Sequence, residues 1–333
     1  MAKFKKLFQF FVAFGIILGS PLGYASYTSV TAAEDENHKT LVEESLPGDF
    51  VIDENNCLTQ YNGYAETVTI PANVVDISYG VFMEHTEIKA VVFSEGVKSV
   101  DEYAFYGCSG LHEIILPESI EKIGRLAFGS CRNIEVFYIG KNLKTWGKFA
   151  LWDCDSLSYI SVNEDNNGYS VCDGILYTKD FKKLIFCPRG REGIVGLHEN
   201  TVTIDSYAFF KCDKISEINS FDNLVYVDEA AFCSCKSLLK VSFGKNVKKI
   251  RSACFQDCES LKEFTVSESV KSLGSLVFID CPNLVKVTFL NSQTEIGKRI
   301  FFHNKNVKIC GYLNSTAEKY AQKYGYNFEK IKL

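Results

Sequence analysis

Cysteine is the residue whose type and spacing most readily suggest chemistry in this sequence. The chain holds 13 cysteines and five histidines. Cys108, Cys131 and Cys154 are 23 residues apart, and so are Cys212, Cys235, Cys258 and Cys281. Such a row could hold a metal, exchange electrons or form disulfides. Zinc needs clustered pairs of cysteine or histidine at set spacings, and no such set occurs. His38, His85, His112, His198 and His303 share no metal-ligand spacing. Cys108 and His112 lie four apart, as a nucleophile and its base might, but a thiol at a repeated apolar position is buried and inert. The row therefore reads as small side chains filling a core. A row of identical neighbours dictates no unique pairing, and 13 is odd. Local oxidation of Cys254 with Cys258, or of Cys233 with Cys235, stays open. The carboxylates of Asp153, Asp155, Glu164 and Asp165 read as solvated turn residues rather than an acid–base pair or a calcium loop. Gly-rich phosphate loops are absent, and neither a catalytic site nor a cofactor is expected. Asn314-Ser315-Thr316 is a glycosylation sequon, relevant only in a eukaryotic source.

The elements that position the cysteines are set by the same period. Phe82, Phe105 and Phe128 are 23 apart, with Leu151 in the next place, and Phe209, Phe232, Phe255, Phe278 and Phe301 resume the spacing. Six residues past each anchor stands Ile, Leu or Val, from Ile88 to Val307, and nine past stands another apolar residue, such as Ile114 or Val241. A period in the twenties signals a solenoid, in which each unit buries its edges against its neighbours. In the unit that begins at Phe105, Leu111–Leu116 supplies a short strand with Leu111, Ile114 and Leu116 inward. Pro117 closes it. Ile120 and Ile123 face inward on the way back. Strands of successive coils should stack in parallel about 4.8 Å apart.

Ala104-Phe105, Cys108, Leu111, Ile114, Leu116-Pro117, Ile120 and Ile123-Gly124 place by place resemble the BspA-like leucine-rich repeat, a family of bacterial and protist surface or secreted proteins. The resemblance spans roughly Val68–Val307. It implies a leucine-rich-repeat solenoid, strand-dominated within the α/β class: about nine 23-residue coils with a parallel sheet on one face. It also implies contact with host, matrix or cell-surface proteins without chemistry.

Expected boundaries follow. Residues 1–25 read as a signal peptide: Lys3, Lys5 and Lys6 precede the apolar run Leu7–Leu18, with Gly23-Tyr24-Ala25 and Thr31-Ala32-Ala33 as alternative cleavage sites. That run falls short of the ~20 residues a membrane span needs. Residues 26–48 form a polar, acidic leader expected to be disordered, and 49–67 an N-terminal cap. The solenoid runs over 68–310. Within it, 163–202 is an insertion in which Cys172–Tyr177 and Phe181–Phe186 form a β-hairpin with Asp-Gly and Lys-Asp turns. Residues 311–333 form a C-terminal cap, where Ser315 and Glu318 make a capping box and Gly325 stops the helix. Removing the three lysines of residues 1–25 takes the formal net charge from −5 to −8. This argues against nucleic acid or anionic lipid as partner.

The outward strand positions carry the functional expectation. In the second half, Glu217, Lys240, Glu263 and Lys286 alternate in sign, as register-fixing cross-strand pairs do. In the first half, Val92, Ile115, Val136, Tyr138 and Tyr159 should form one apolar and aromatic patch fit for a protein partner, unless the hairpin insertion folds over it. The expected molecule is a secreted or cell-surface adhesion module, monomeric and not inserted in a membrane after signal cleavage. The alternatives are a structural or scaffolding component, or an enzyme with a site in the insertion.

Overall fold

The computed structural model describes residues 44–332; the expected signal peptide and most of the leader lie outside them. Nine coils stack, each with three sides: a strand face, a return strand and a turn.

The strand face follows the alternation of its residues. In Glu113–Ile115, Ile114 is buried while Glu113 and Ile115 face out, and the pattern repeats in Val136–Ile139 and Glu263–Val266. Register advances by 23 residues per rung, with Ile114 opposite Phe137 and Phe264 opposite Val287. A second parallel ladder exists where one sheet was expected. Two-residue strands such as Lys122–Ile123 and Thr145–Trp146 pair from coil to coil, giving a six-stranded sheet in the first half and an eight-stranded one in the second. Ile123 and Ile250 point inward from these strands.

The turn side is held by a third set of bonds. The amides of Phe82, Phe105, Phe128 and Phe209 each donate to the alanine carbonyl of the next coil, at 2.7–2.9 Å. Every turn includes left-handed residues at a 23-residue spacing, among them Tyr103, Leu126 and Phe149 with φ of 58°, 54° and 62°. Few side chains tolerate that conformation, so bonds to both neighbouring coils must hold it. The phenylalanines then stack on one another. Ring centroids are 4.7 Å apart for Phe82 and Phe105, 4.8 Å for Phe209 and Phe232, and 5.3 Å for Phe232 and Phe255, with planes within 19°.

Leu151 ends the first ring stack, and the core divides beyond Ile160, at the insertion. One cluster runs from Leu58 to Ile160 with Leu176, the other from Ile175 to Ala321. Between them the insertion forms three antiparallel strands rather than one hairpin: Tyr169–Cys172, Ile175–Thr178 and Lys183–Phe186. They do not hang off the solenoid. Lys183 and Leu184 pair in parallel with Thr203 and Ile204, so the insertion opens the eight-stranded ladder. The first ladder ends at Trp146, whose amide donates to the Tyr169 hydroxyl at 2.9 Å.

Both solenoid ends are covered. Phe50–Ile52 and Cys57–Tyr61 form an antiparallel pair whose second strand joins the return ladder. The last residues of the expected leader belong to this body, because Glu44 bridges Thr67 and the Ser45 amide donates to the Thr67 carbonyl. At the other end the helix Thr316–Tyr324 begins at Ser315, whose Oγ accepts from the Glu318 amide, and stops at left-handed Gly325. The Glu318 carboxylate accepts from the Asn314 amide rather than from that of Ser315, so the expected capping box closes one residue early. Asn327–Lys330 then pairs with Lys308–Gly311 as a final rung.

Truncating Phe255, stacked between Phe232 and Phe278, should cost about 3–5 kcal/mol in urea unfolding. Tyr226→Ala, an exposed position on the same half, should cost under about 0.5 kcal/mol.

Candidate functional site

The described cysteines are all free thiols. Their shared position explains their type. The thiols of Cys108, Cys131, Cys154, Cys235, Cys258 and Cys281 each donate to the carbonyl of the phenylalanine one coil back, at 2.9–3.2 Å. Cysteine is small enough for the core and still brings a donor. Burial pushes the Cys154 and Cys281 thiols up to about 12 and raises those of Cys131, Cys235 and Cys258 as well. These side chains are therefore neutral thiols at physiological pH, the unreactive form. Among the described residues no group of three or more His, Cys, Asp or Glu could hold a metal ion.

The strand face places the five expected partner-binding residues in two neighbouring columns. Val92, Ile115 and Tyr138 share one column, since Ile115 stands opposite Tyr138 and Val92 lies one period earlier. Val136 and Tyr159 stand opposite each other in the next. Val92 is 51% exposed, and the other four are half-buried. Glu113 and Ser161 bound the patch, being opposite Val136 and Tyr138.

Both tyrosines are held in place. The Tyr138 hydroxyl donates to Glu118 Oε1 at 3.0 Å and accepts from Asn163 Nδ2 at 3.1 Å, while Asn163 also donates to Glu118 at 2.9 Å. Three coils thus share one network, and burial raises the Tyr138 hydroxyl above its ordinary pKa. Tyr159 lies under the first turn of the insertion. A Cβ on Gly174 would come within 2.9 Å of the ring, so the turn needs glycine both for this contact and for its φ of +76°. The insertion therefore reaches the Tyr159 side of the patch.

The second half of the face is charged, but the expected alternating row is interrupted, because Lys240–Ser242 and Glu263–Val266 belong to different sheets. Glu217 stands opposite Lys240 with Nζ–Oε1 at 2.8 Å, and Glu263 stands opposite Lys286. Ion pairs between adjacent coils recur on other sides, as in Lys144–Glu121 and Arg251–Asp228.

One cluster departs from the sequence expectation that Asp153 and Asp155 are simply solvated turn residues, since both are bound by a buried arginine. Where the insertion loops out, the turn of Phe149 and Trp152 lies directly against that of Tyr207 and Phe210. Trp152 stacks on Phe210 at 4.1 Å, and Phe149 meets Tyr207 edge-on at 5.3 Å. The Arg189 guanidinium lies over both Trp152 and Phe210, and it donates to Asp153 at 2.5 Å, to Asp155 at 2.9 Å and to the Phe210 carbonyl. Lys148 sits over Phe149. The cluster clasps the two halves together.

The family model of the BspA type leucine rich repeat region matches six copies over residues 54–172 and 193–308. No curated protein matches the sequence. Among solved structures, the pneumococcal vaccine antigen PcpA superposes with a TM-score of 0.65 at 22% identity, over 85% of this chain and 83% of that one. A leucine-rich repeat protein from Eubacterium ventriosum gives 0.63 at 20%, over 76% and 77%. A leucine rich cell surface protein from Faecalibacterium prausnitzii gives 0.57 at 20%, over 83% and 96%.

Two outcomes are expected of this chemistry. In the native protein, thiol reagents should reach Cys57 and Cys172, which are half-buried, well before the rest, and all 13 cysteines should titrate only after unfolding. A native count near 13, or a denatured count well below it, would overturn the picture of a reduced, buried row. The second outcome concerns the clasp. Burial pushes the Asp153 carboxyl up, but the Arg189 hydrogen bond and charge, with Lys211, outweigh it and hold the pKa below the ordinary carboxylate value. A depressed carboxylate stabilises above its unfolded pKa, near 4, and loses that contribution as pH falls through the folded value. Thermal melts from pH 7 to pH 3 should therefore fall less steeply for Asp153→Asn, which starts lower at pH 7, than for the native protein. The chain belongs to the BspA-type leucine-rich-repeat family.

Proposed function

We propose that this chain is a secreted or cell-surface module that binds a protein partner, as an adhesion molecule does, through the strand face of its first half. Val92, Ile115, Val136, Tyr138 and Tyr159 form the contact. The observation that supports this most is the pinning of Tyr138 by Glu118 and Asn163. A half-buried aromatic ring held by a three-coil network loses little further freedom when a partner covers it, and such preorganised rings concentrate binding energy. At the matching positions of the second half the face carries charges instead, Glu217 opposite Lys240 and Glu263 opposite Lys286.

Cell-surface placement is supported by the similar Faecalibacterium prausnitzii protein, a leucine rich cell surface protein. No helix among the described residues is long and apolar enough to cross a membrane. The reading needs no cofactor and no catalytic residue. It is favoured over a scaffold that self-associates through solenoid ends, because the Phe50–Tyr61 pair covers one end and the helix with its following strand covers the other. A monomer is the expected state.

The test is a pull-down from extracellular-matrix proteins and host-cell extracts, with a Tyr138→Ala/Tyr159→Ala variant alongside. Each truncated hot-spot tyrosine should cost about 2 kcal/mol, roughly 30-fold in affinity. A saturable partner bound equally by the variant would remove the patch from the proposal. Circular dichroism and elution volume establish that the variant remains folded.

A further inference from the structure

The strand face is continuous in principle, each rung lying between the one before and the one after. At the insertion this fails. Tyr159–Val162 ends a three-stranded sheet, and Gly193–Gly196 begins another, pairing only with Ile215–Asn219. Two other breaks, between Ala90–Val92 and Glu113–Ile115 and between Lys240–Ser242 and Glu263–Val266, leave the strands side by side. At the insertion the rung is missing.

Other edges of this face are closed. Thr67–Thr69 is covered by the bridge to Glu44 and the Ser45 amide. Tyr159–Val162 gives its Ile160 amide to the Gly174 carbonyl at 3.3 Å. Asn327–Lys330 carries Glu329 and Lys330, charges of the kind that discourage pairing. Gly193–Gly196 has none of these devices: it contains no proline and no charge, and among the described residues no strand lies on its other side. Its hydrogen-bonding direction is fixed. The Gly193 amide donates to the Lys214 carbonyl and the Leu197 amide to that of Asn219. Successive residues of a parallel strand point their backbone groups to alternate sides, so the amides and carbonyls of Ile194 and Gly196 face the open edge. Gly193, at φ +80°, carries the register shift that turns the strand into this position. Nothing lies within 4 Å of a Cβ built on either Gly193 or Gly196, and the Ile194 side chain between them is 65% exposed.

We infer that Gly193–Gly196 is a template for strand addition, and that its occupant is an extended segment of a protein partner laid parallel to it as the missing rung. The backbone groups of Ile194 and Gly196 would bond the segment, and Ile194 would meet its outward apolar side chain. This rests on the protein-binding reading above but uses different residues, so each can fail alone. If the tyrosine variant binds normally, the patch falls and the edge stands.

The probe is a synthetic peptide of residues 156–164, the strand that an uninterrupted array would place on this edge. Its Ile160 and Val162 amides would face Gly193–Gly196. Added at millimolar concentration to isotope-labelled protein, it should shift the Ile194 and Gly196 amide resonances and slow their hydrogen exchange at least tenfold. N-methylation at Ile160 and Val162 should abolish binding, and N-methylation at Tyr159 and Ser161, which point the other way, should weaken it less than threefold. Ile194→Pro removes an amide that no rung uses and should lose the peptide at least tenfold. The idea is overturned if the two amides are already protected in the free protein, which would mean that the chain's own N-terminal residues or a second copy occupies the edge. It is equally overturned if the peptide leaves both amides unmoved, or if both methylated peptides bind alike. The peptide arms use unaltered protein, so they decide the matter even if Ile194→Pro fails to fold.

Discussion

A coil of this chain cannot close its own core. Its strand and return strand lie on two sides and its phenylalanine projects between them, leaving both flat edges apolar. Only another coil of the same length, carrying the same residue at the same place, covers such an edge, and the rung spacing near 4.8 Å is also a stacking distance for rings. The ring spacings of 4.7–5.7 Å from Phe82 to Phe128 and from Phe209 to Phe301 record this match. The 23-residue period is therefore a packing constraint first. A residue added within one coil would displace a ring, a thiol and a rung of each ladder together.

The cysteines show how far this constraint absorbs chemistry. A phenylalanine carbonyl in the turn accepts from the amide three residues on in its own coil, as the Phe105 carbonyl does from Cys108, and again from the thiol one coil further along. Alanine would fit the space and leave the second bond unmade, which inside a core is costly. The row breaks at its ends for the same reason. Asn304 takes the place of the last cysteine and donates to the carbonyls of Cys281 and Leu284, at 2.7 and 2.9 Å, in a coil whose outer neighbour is the cap rather than another turn. At the first coil His85 sits against Tyr61 and Phe82, where a cap aromatic replaces a previous ring.

What the sequence discloses follows from what repeats. Phe105, Cys108, Leu111, Ile114 and Ile123 recur with fixed spacing, so their inward position was legible before any coordinate. The return ladder was not, because a two-residue strand such as Lys122–Ile123 is too short to show an alternation. Strand Tyr169–Cys172 was missed for a related reason: all four of its residues are half-buried, so no apolar face marks it. Glu44 and Ser45 looked like the end of a polar leader, yet they attach through a backbone bridge to Thr67 and one serine hydroxyl that accepts from the Thr69 amide, neither of which leaves a pattern in the sequence. The clasp of Phe149, Trp152, Tyr207, Phe210 and Arg189 was hidden by distance. Tyr207 lies 58 residues beyond Phe149, and the two become neighbours only when the insertion is taken out of the count. The candidate patch was legible as outward residues, but its arrangement in two columns and the pinning of Tyr138 needed the register.

The insertion is where these arguments meet. In a regular stretch each coil satisfies the next: amide meets carbonyl, ring meets ring, Glu217 meets Lys240. Such a stretch leaves few backbone groups unbonded along its strands. Lengthening one coil breaks the exchange on one side while the clasp preserves it on another. On the turn side Trp152 stacks on Phe210 as if no residues intervened. On the return side Lys183–Phe186 takes a place in the ladder, and Tyr169 closes the older one. On the strand face alone the displaced rung is not replaced among the described residues, and there one edge of Gly193–Gly196 is left without a strand, near a turn that leans on Tyr159. An insertion tolerated on two sides and left open on the third is where the proposed strand addition would take place without disturbing the stack that holds the solenoid together.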